Sequence, residues 1–224
     1  MCRLNITVFI LIVAGNSFAQ QTFDLKDASK YFDIKVKVAK CEDNVYSGEA
    51  SFSFYKKGGN AAYQIIARED MYIDLSDAGE PMVNQTLLYD KQSVISVDDY
   101  NFDGMEDVAL CDGTNGSYNM PSYSVYLSSR SAKKFVYNKR LSDLGIHLGM
   151  FQVLKSKKQL ETFDKSGCCW HITTRYSVIN NRPRKVFEEI EDATIDDDTK
   201  IKITTKTLVK GKWKTTVKYE KREQ

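Results

Sequence analysis

Residues 172–179 read Ile-Thr-Thr-Arg-Tyr-Ser-Val-Ile, residues 184–190 read Arg-Lys-Val-Phe-Glu-Glu-Ile, and Asn180-Asn181 stands at the break. β-Branched and aromatic side chains fit a pleated, half-buried surface. Asn is one of the few residues that tolerates the positive φ a tight hairpin turn demands. The stretch therefore predicts a β-hairpin. A second follows at once, with residues 201–209 facing residues 213–219 across Lys210-Gly211.

Working back toward the N-terminus, the same period of two recurs. Phe32, Ile34, Val36 and Val38 alternate with Asp33, Lys35 and Lys37, and Ala50, Phe52 and Phe54 alternate with Ser51, Ser53 and Tyr55. Residues 64–67, 71–75, 94–97, 108–110, 122–127 and 135–137 continue the pattern, with a turn over residues 77–81. Helical signal is confined to a turn or so at residues 24–31 and a short turn at residues 141–145. Many short strands with turns between them predict an all-β chain, an antiparallel β-sandwich with a barrel-like closure as the alternative. The candidate internal boundary is residues 155–165. Residues 20–224 are otherwise expected to form a single β-rich domain.

The first residues predict export. Arg3 precedes an apolar run at residues 6–14, and Ser17-Phe18-Ala19 sets small residues where a signal peptidase reads them. Residues 1–19 are expected to be a cleaved signal peptide, leaving a periplasmic or secreted protein. The run is too short for a transmembrane anchor, which needs about 20 apolar residues. The 32 Lys+Arg against 30 Asp+Glu give a net charge of +2, without the concentrated basic excess of a nucleic-acid binder. Lysines do gather between Lys200 and Lys218, alternating with apolar residues. That pattern reads as the solvated face of a hairpin, with contact to an anionic surface as the alternative.

Once residues 1–19 leave, Cys41, Cys111, Cys168 and Cys169 remain, and an even count in an exported chain favours disulfides. Neighbouring side chains of a strand point to opposite faces. The expected pairing therefore joins Cys41 and Cys111 each to one of Cys168 and Cys169, with a vicinal Cys168–Cys169 bond as the lesser option. Cys168-Cys169-Trp170-His171 lacks the paired spacing of a structural zinc module. Neither a Gly-x-Ser-x-Gly elbow nor a His-Glu-x-x-His motif is present, so no catalytic residues are assigned and the chain is not read as an enzyme.

The chemistry concentrates in residues 99–107, Asp-Tyr-Asn-Phe-Asp-Gly-Met-Glu-Asp. Oxygen-bearing side chains fall at loop positions one, three, five and nine, with glycine at six. Calcium takes six to eight hard oxygen ligands in flexible geometry, and alternate side chains of a tightly curled loop converge on one point. The expected ligands are Asp99, Asn101, Asp103 and Asp107, with the backbone carbonyl of Met105. The glutamate of an EF-hand's twelfth position is Leu110 here, so the loop leaves into a strand. Fewer anionic ligands imply an affinity on the order of 10⁻⁴ to 10⁻³ M.

Residues 97–110, from Val97-Asp98-Asp99 through Glu106-Asp107-Val108 to Leu110, resemble the calcium loop of FG-GAP and integrin-alpha-type proteins. With Tyr123-Ser124-Val125-Tyr126-Leu127, Lys134-Phe135-Val136-Tyr137 and Leu141-Ser142-Asp143-Leu144, the region is similar to a bacterial periplasmic β-sandwich family allied to the I-type lysozyme inhibitors. The resemblance implies calcium ligands at Asp99, Asn101, Asp103, Met105 and Asp107. It also implies a partner such as a secreted or envelope lysozyme-like hydrolase. Such inhibitors present a protruding loop with a Ser-Gly-x-Tyr-like motif, which is not intact here. Ser47-Gly48-Glu49-Ala50 lacks the tyrosine, Asn115-Gly116-Ser117-Tyr118 has a different order, and both read as plain turns. The function expected is a calcium-binding, protein-binding envelope module. A cell-wall glycan hydrolase using an unrecognised carboxylate pair and a structural or adhesion module are the alternatives.

Overall fold

The computed structural model describes residues 20–38, 44–85 and 92–222. The expected signal peptide and Cys41 lie outside them. The first sheet is a meander, β1 (Gln21–Asp24), β2 (Phe32–Val38), β3 (Val45–Lys56) and β4 (Ala62–Asp74). A second meander follows, β5 (Ile95–Asp98), β6 (Asp107–Cys111), β7 (Tyr123–Ser129) and β8 (Lys134–Tyr137). The third sheet holds β9 (Gln152–Leu154), β10 (Gln159–Ser166), β11 (Trp170–Ile179), β12 (Arg182–Asp192), β13 (Lys200–Val209) and β14 (Lys212–Lys221). All strand pairs are antiparallel, and none of the three sheets closes into a barrel. The all-β reading holds, and the architecture is that of packed open sheets.

The second sheet is the middle layer. Every residue of β6 is buried, as a strand covered on both faces must be. Toward the first sheet it presents Phe135, whose ring lies 5.0 Å from Phe54 and 5.3 Å from Phe32. On the same side the Tyr126 hydroxyl accepts from the Arg68 guanidinium at 3.2 Å. The Gln64 side-chain amide donates to the Phe135 carbonyl at 3.1 Å and accepts from its N–H at 2.7 Å, so one side chain clasps β4 to β8 as a strand would. Beyond the end of β8, α1 (Lys139–Ser142) packs against β7, and its Ser142 hydroxyl accepts from Val125 N–H at 2.9 Å. Asn138 caps that helix by accepting from Leu141 N–H at 3.0 Å. Phe151 and Leu160 carry the core on into the third sheet, and Tyr100 meets Phe151 edge-on at 5.3 Å.

Both C-terminal hairpins form as the sequence predicts, with Ile179 opposite Arg182 and Val209 opposite Lys212. Two local expectations fail. Residues 24–31 make no helical turn, because Asp27 takes a left-handed φ of 59° and Leu25 N–H bonds to Ile34 across the sheet. Residues 155–165 are no boundary, since β10 is paired along its length to β11 and at its start to β9. Its buried positions are Leu160 and Thr162, and a threonine hides an inward face from a hydrophobicity pattern.

Candidate functional site

The loop between β5 and β6 is closed by the pair Asp98–Asp107. Two residues give it its curl, Phe102 with a φ of 62° and Gly104 with a φ of 87°. Asp99 accepts from the N–H groups of Asp103 at 3.0 Å and Gly104 at 2.8 Å, one on each carboxylate oxygen. Asn101 Oδ1 accepts from Asp103 N–H at 3.1 Å, and Asp103 Oδ1 accepts from Met105 N–H at 2.9 Å. Alternate side chains thus turn inward onto the loop's own amides.

Asp107 lies deepest. It is fully buried, and its two oxygens accept from Tyr100 N–H at 3.0 Å and Ser128 N–H at 2.8 Å. Burial pushes its carboxyl up to about 7 against those two amides, and the charges of Asp103 and Asp99 push the same way. The loop therefore concentrates negative charge above a buried acid. The five expected ligand residues all sit on this one loop. Even so, among the described residues no three His, Cys, Asp or Glu side chains are gathered tightly enough to hold an ion as they stand. The donor chemistry suits a hard cation, and each carboxylate oxygen that accepts one amide keeps further lone-pair capacity.

Two anchors of this loop are invisible in its spacing. Glu106 accepts from the Ser29 hydroxyl at 2.6 Å and from Lys30 N–H at 3.1 Å, tying the loop to the segment before β2. Asn101 Nδ2 donates to Asn181 Oδ1 at 2.9 Å, so the turn of the β11–β12 hairpin rests against the loop. Lys155 reaches Asp98 at 3.1 Å beside a cleft of about 540 Å³ that Ser29, Asp99 and Glu106 also line.

A second feature lies at the far end of the third sheet. Asn115-Gly116-Ser117-Tyr118 is not a plain turn. Tyr118 and Asn119 both adopt left-handed backbone, each with a φ of 58°. Such conformations cost on the order of 1–3 kcal/mol apiece outside glycine and persist where the surroundings enforce them. The enforcement is visible. A Cβ on Gly116 would meet the Met120 carbonyl at 2.6 Å and the His147 carbonyl at 2.7 Å. Ser117 donates from its hydroxyl to Asp164 at 3.0 Å and from its N–H to His147 O at 2.9 Å. The Tyr118 hydroxyl accepts from Gly167 N–H at 2.7 Å, Lys165 Nζ stands 4.9 Å from its ring centroid, and the residue is still 58% exposed. Asp164 bridges Ser117 and His147, whose Nδ1 it contacts directly, so the serine faces a carboxylate and not the imidazole. The other tyrosine-loop candidate, residues 47–50, lies within β3 at a bulge between Gly48 and Ala50.

The cysteine pairing is corrected. Cys168 and Cys169 are bonded to each other, and Cys111 is free and buried on β6. The adjacent cysteines occupy the turn between β10 and β11, where Gly167 has a φ of 65°, so strand alternation does not separate them. Burial pushes the Cys111 thiol up to about 12.

Neither a family model nor a curated protein matches this chain. A solved structure described as that of a Xanthomonas type IV secretion system related protein is similar to it. The identity is 25%, the TM-score is 0.62, and the match covers 90% of this chain and 94% of that one. The similarity spans nearly the whole of both chains. No described helix is long and apolar enough to cross a membrane.

Proposed function

We propose that this chain is an exported, calcium-stabilised module of the bacterial envelope that binds a protein through the Tyr118 loop. The partner class we favour is a lysozyme-like cell-wall hydrolase. The observation that carries this reading is an aromatic side chain held exposed on strained backbone, by contacts to Gly167, Lys165, Asp164 and His147 that serve no core. Tyrosine offers a rigid, amphipathic contact at low entropic cost, the property that makes it frequent at interface centres. The Xanthomonas neighbour's association with a secretion system supports an envelope or secretion context.

Calcium has a structural role in this proposal. The carboxylates of Asp99, Asp103 and Asp107, the Asn101 side-chain oxygen and the Met105 carbonyl would hold the ion. The ion would neutralise the charge gathered above buried Asp107 and fix the loop on which the β11–β12 turn rests. The test is stoichiometric inhibition of chicken-type, invertebrate-type and goose-type lysozymes by the purified protein. We expect tight inhibition of at least one type and a loss of at least tenfold in Tyr118→Ala, with the melting temperature kept. Equal inhibition by Tyr118→Ala would remove the loop from the interface. No inhibition of any type at micromolar protein would refute the partner class.

A further inference from the structure

The third sheet has two ends of different character. One carries the Tyr118 contacts and the Cys168–Cys169 turn. The other carries the turns of both C-terminal hairpins, at Asn180-Asn181, where Asn181 is held against Asn101 and Asn138, and at Lys210-Gly211. β11 runs the ten residues between these ends, on the order of 30 Å at 3.3 Å per residue.

At the second end, residues 179–187 and 206–214 contain seven Lys and Arg and no acid: Arg182, Arg184, Lys185, Lys206, Lys210, Lys212 and Lys214. Lys185 and Lys206 share Glu188, at 3.5 and 3.7 Å. The other five are exposed and form no ion pair among the described residues. The register places Arg182, Arg184, Lys212 and Lys214 on one face, opposite Ile179, Ser177, Val209 and Thr207 in turn. Every residue of edge strand β14 is exposed. Ile179, 46% exposed, and Val209, at 37%, share the face of the cations, while Trp213, 46% exposed, projects from the other face between Lys212 and Lys214.

We propose that this end of the sheet docks on the headgroup layer of an anionic lipid bilayer. Unpaired cations attract phosphate-bearing headgroups, the aliphatic side chains at the turns enter the layer shallowly, and tryptophan is the residue that partitions to its apolar–polar boundary. The Lys210-Gly211 turn and the exposed edge strand match a broad, deformable, negative surface. A second copy of this chain is a poorer occupant. Pairing β14 with itself brings two lysine-rich edges together, and edge lysines are a common device against that association. The inference goes beyond the Tyr118 reading and stands independently of it.

The test is flotation of the purified protein with vesicles of phosphatidylcholine alone and of phosphatidylcholine with phosphatidylglycerol, read together with tryptophan fluorescence. Binding is expected only to the anionic vesicles, falling as salt is raised, with a blue shift that is lost in Trp213→Phe. Trp170 is the remaining tryptophan, so the shift reports this end of the sheet. The triple change Arg184→Gln, Lys212→Gln, Lys214→Gln alters only exposed side chains. It should weaken partitioning roughly a hundredfold, at about fivefold per cation near the surface. Equal binding to both vesicle types, or a triple variant that binds like the parent, would overturn the proposal. So would absence of vesicle binding, and salt-sensitive binding to poly-glutamate in that case would assign the surface to an acidic protein instead.

Discussion

If the loop of residues 99–107 is a calcium site, the ion binds the native fold and not the unfolded chain, and it must raise the melting temperature by a calculable amount. With a dissociation constant on the order of 10⁻⁴ to 10⁻³ M, 10 mM calcium stands about 10- to 100-fold above it. The stabilisation by mass action is then about 1.4 to 2.7 kcal/mol. For a chain of this size each kcal/mol moves the midpoint by about 2–4 °C, so calcium against chelator should give a shift of about 3 to 10 °C. Asp103 supplies the control. It is exposed, and its Oδ1 acceptor for Met105 N–H survives in Asp103→Asn. In chelator that variant should melt within about 0.5 kcal/mol of the parent, as surface substitutions do. In calcium it should lose at least half of the shift, because an anionic ligand is gone. The assay is a thermal melt followed by circular dichroism, with magnesium run in parallel. Coincident midpoints for the parent in 10 mM calcium and in chelator would refute the site. A shift unchanged by Asp103→Asn would move the ion elsewhere on the protein.

Cys111 is buried beneath the first sheet with its thiol pushed up to about 12, so in the native protein at pH 8 it should be inert to a disulfide-exchange reagent. One thiol from Cys111 should appear on unfolding, measured with Cys41→Ser to isolate it, and rapid native labelling would contradict the burial. Phe54 is fully buried between Phe32 and Phe135. Phe54→Ala should therefore cost about 3–5 kcal/mol in urea unfolding, whereas a cost below 1 kcal/mol would mean that the first two sheets do not share a core.

The strands were legible wherever a half-buried surface leaves its period of two, as from Phe32 to Val38 and through both C-terminal hairpins. β10 was not, because Thr162 buries a hydroxyl-bearing side chain and the neighbouring lysines mimic a linker. The inward turn of Asp99, Asn101 and Asp103 could be read from spacing, because a curled loop gathers alternate side chains onto its own amides by local geometry. Glu106 and Asn181 could not, since their contacts bridge 77 and 80 residues and no local pattern encodes them. The tyrosine loop was passed over for a related reason. The left-handed Tyr118 is flanked by long-range contacts, Ser117 with Asp164 and the Tyr118 hydroxyl with Gly167, and the sequence around Gly116 alone reads as an ordinary turn. The cysteine pairing failed on its premise. Alternation of faces is a property of strands, and Cys168-Cys169 lies where the strand has ended.

The bond between Cys168 and Cys169 joins residues already adjacent in the chain. A crosslink lowers the entropy of the unfolded ensemble in proportion to the logarithm of the chain it encloses, and here it encloses almost nothing. Among the described residues, oxidation therefore supplies no global staple. Their cohesion must come from the three-layered interior, and the oxidised turn is a local stiffener within reach of the tyrosine it neighbours. Forming or breaking that bond would then tune one corner of the surface and leave the described sheets without a covalent tie to one another.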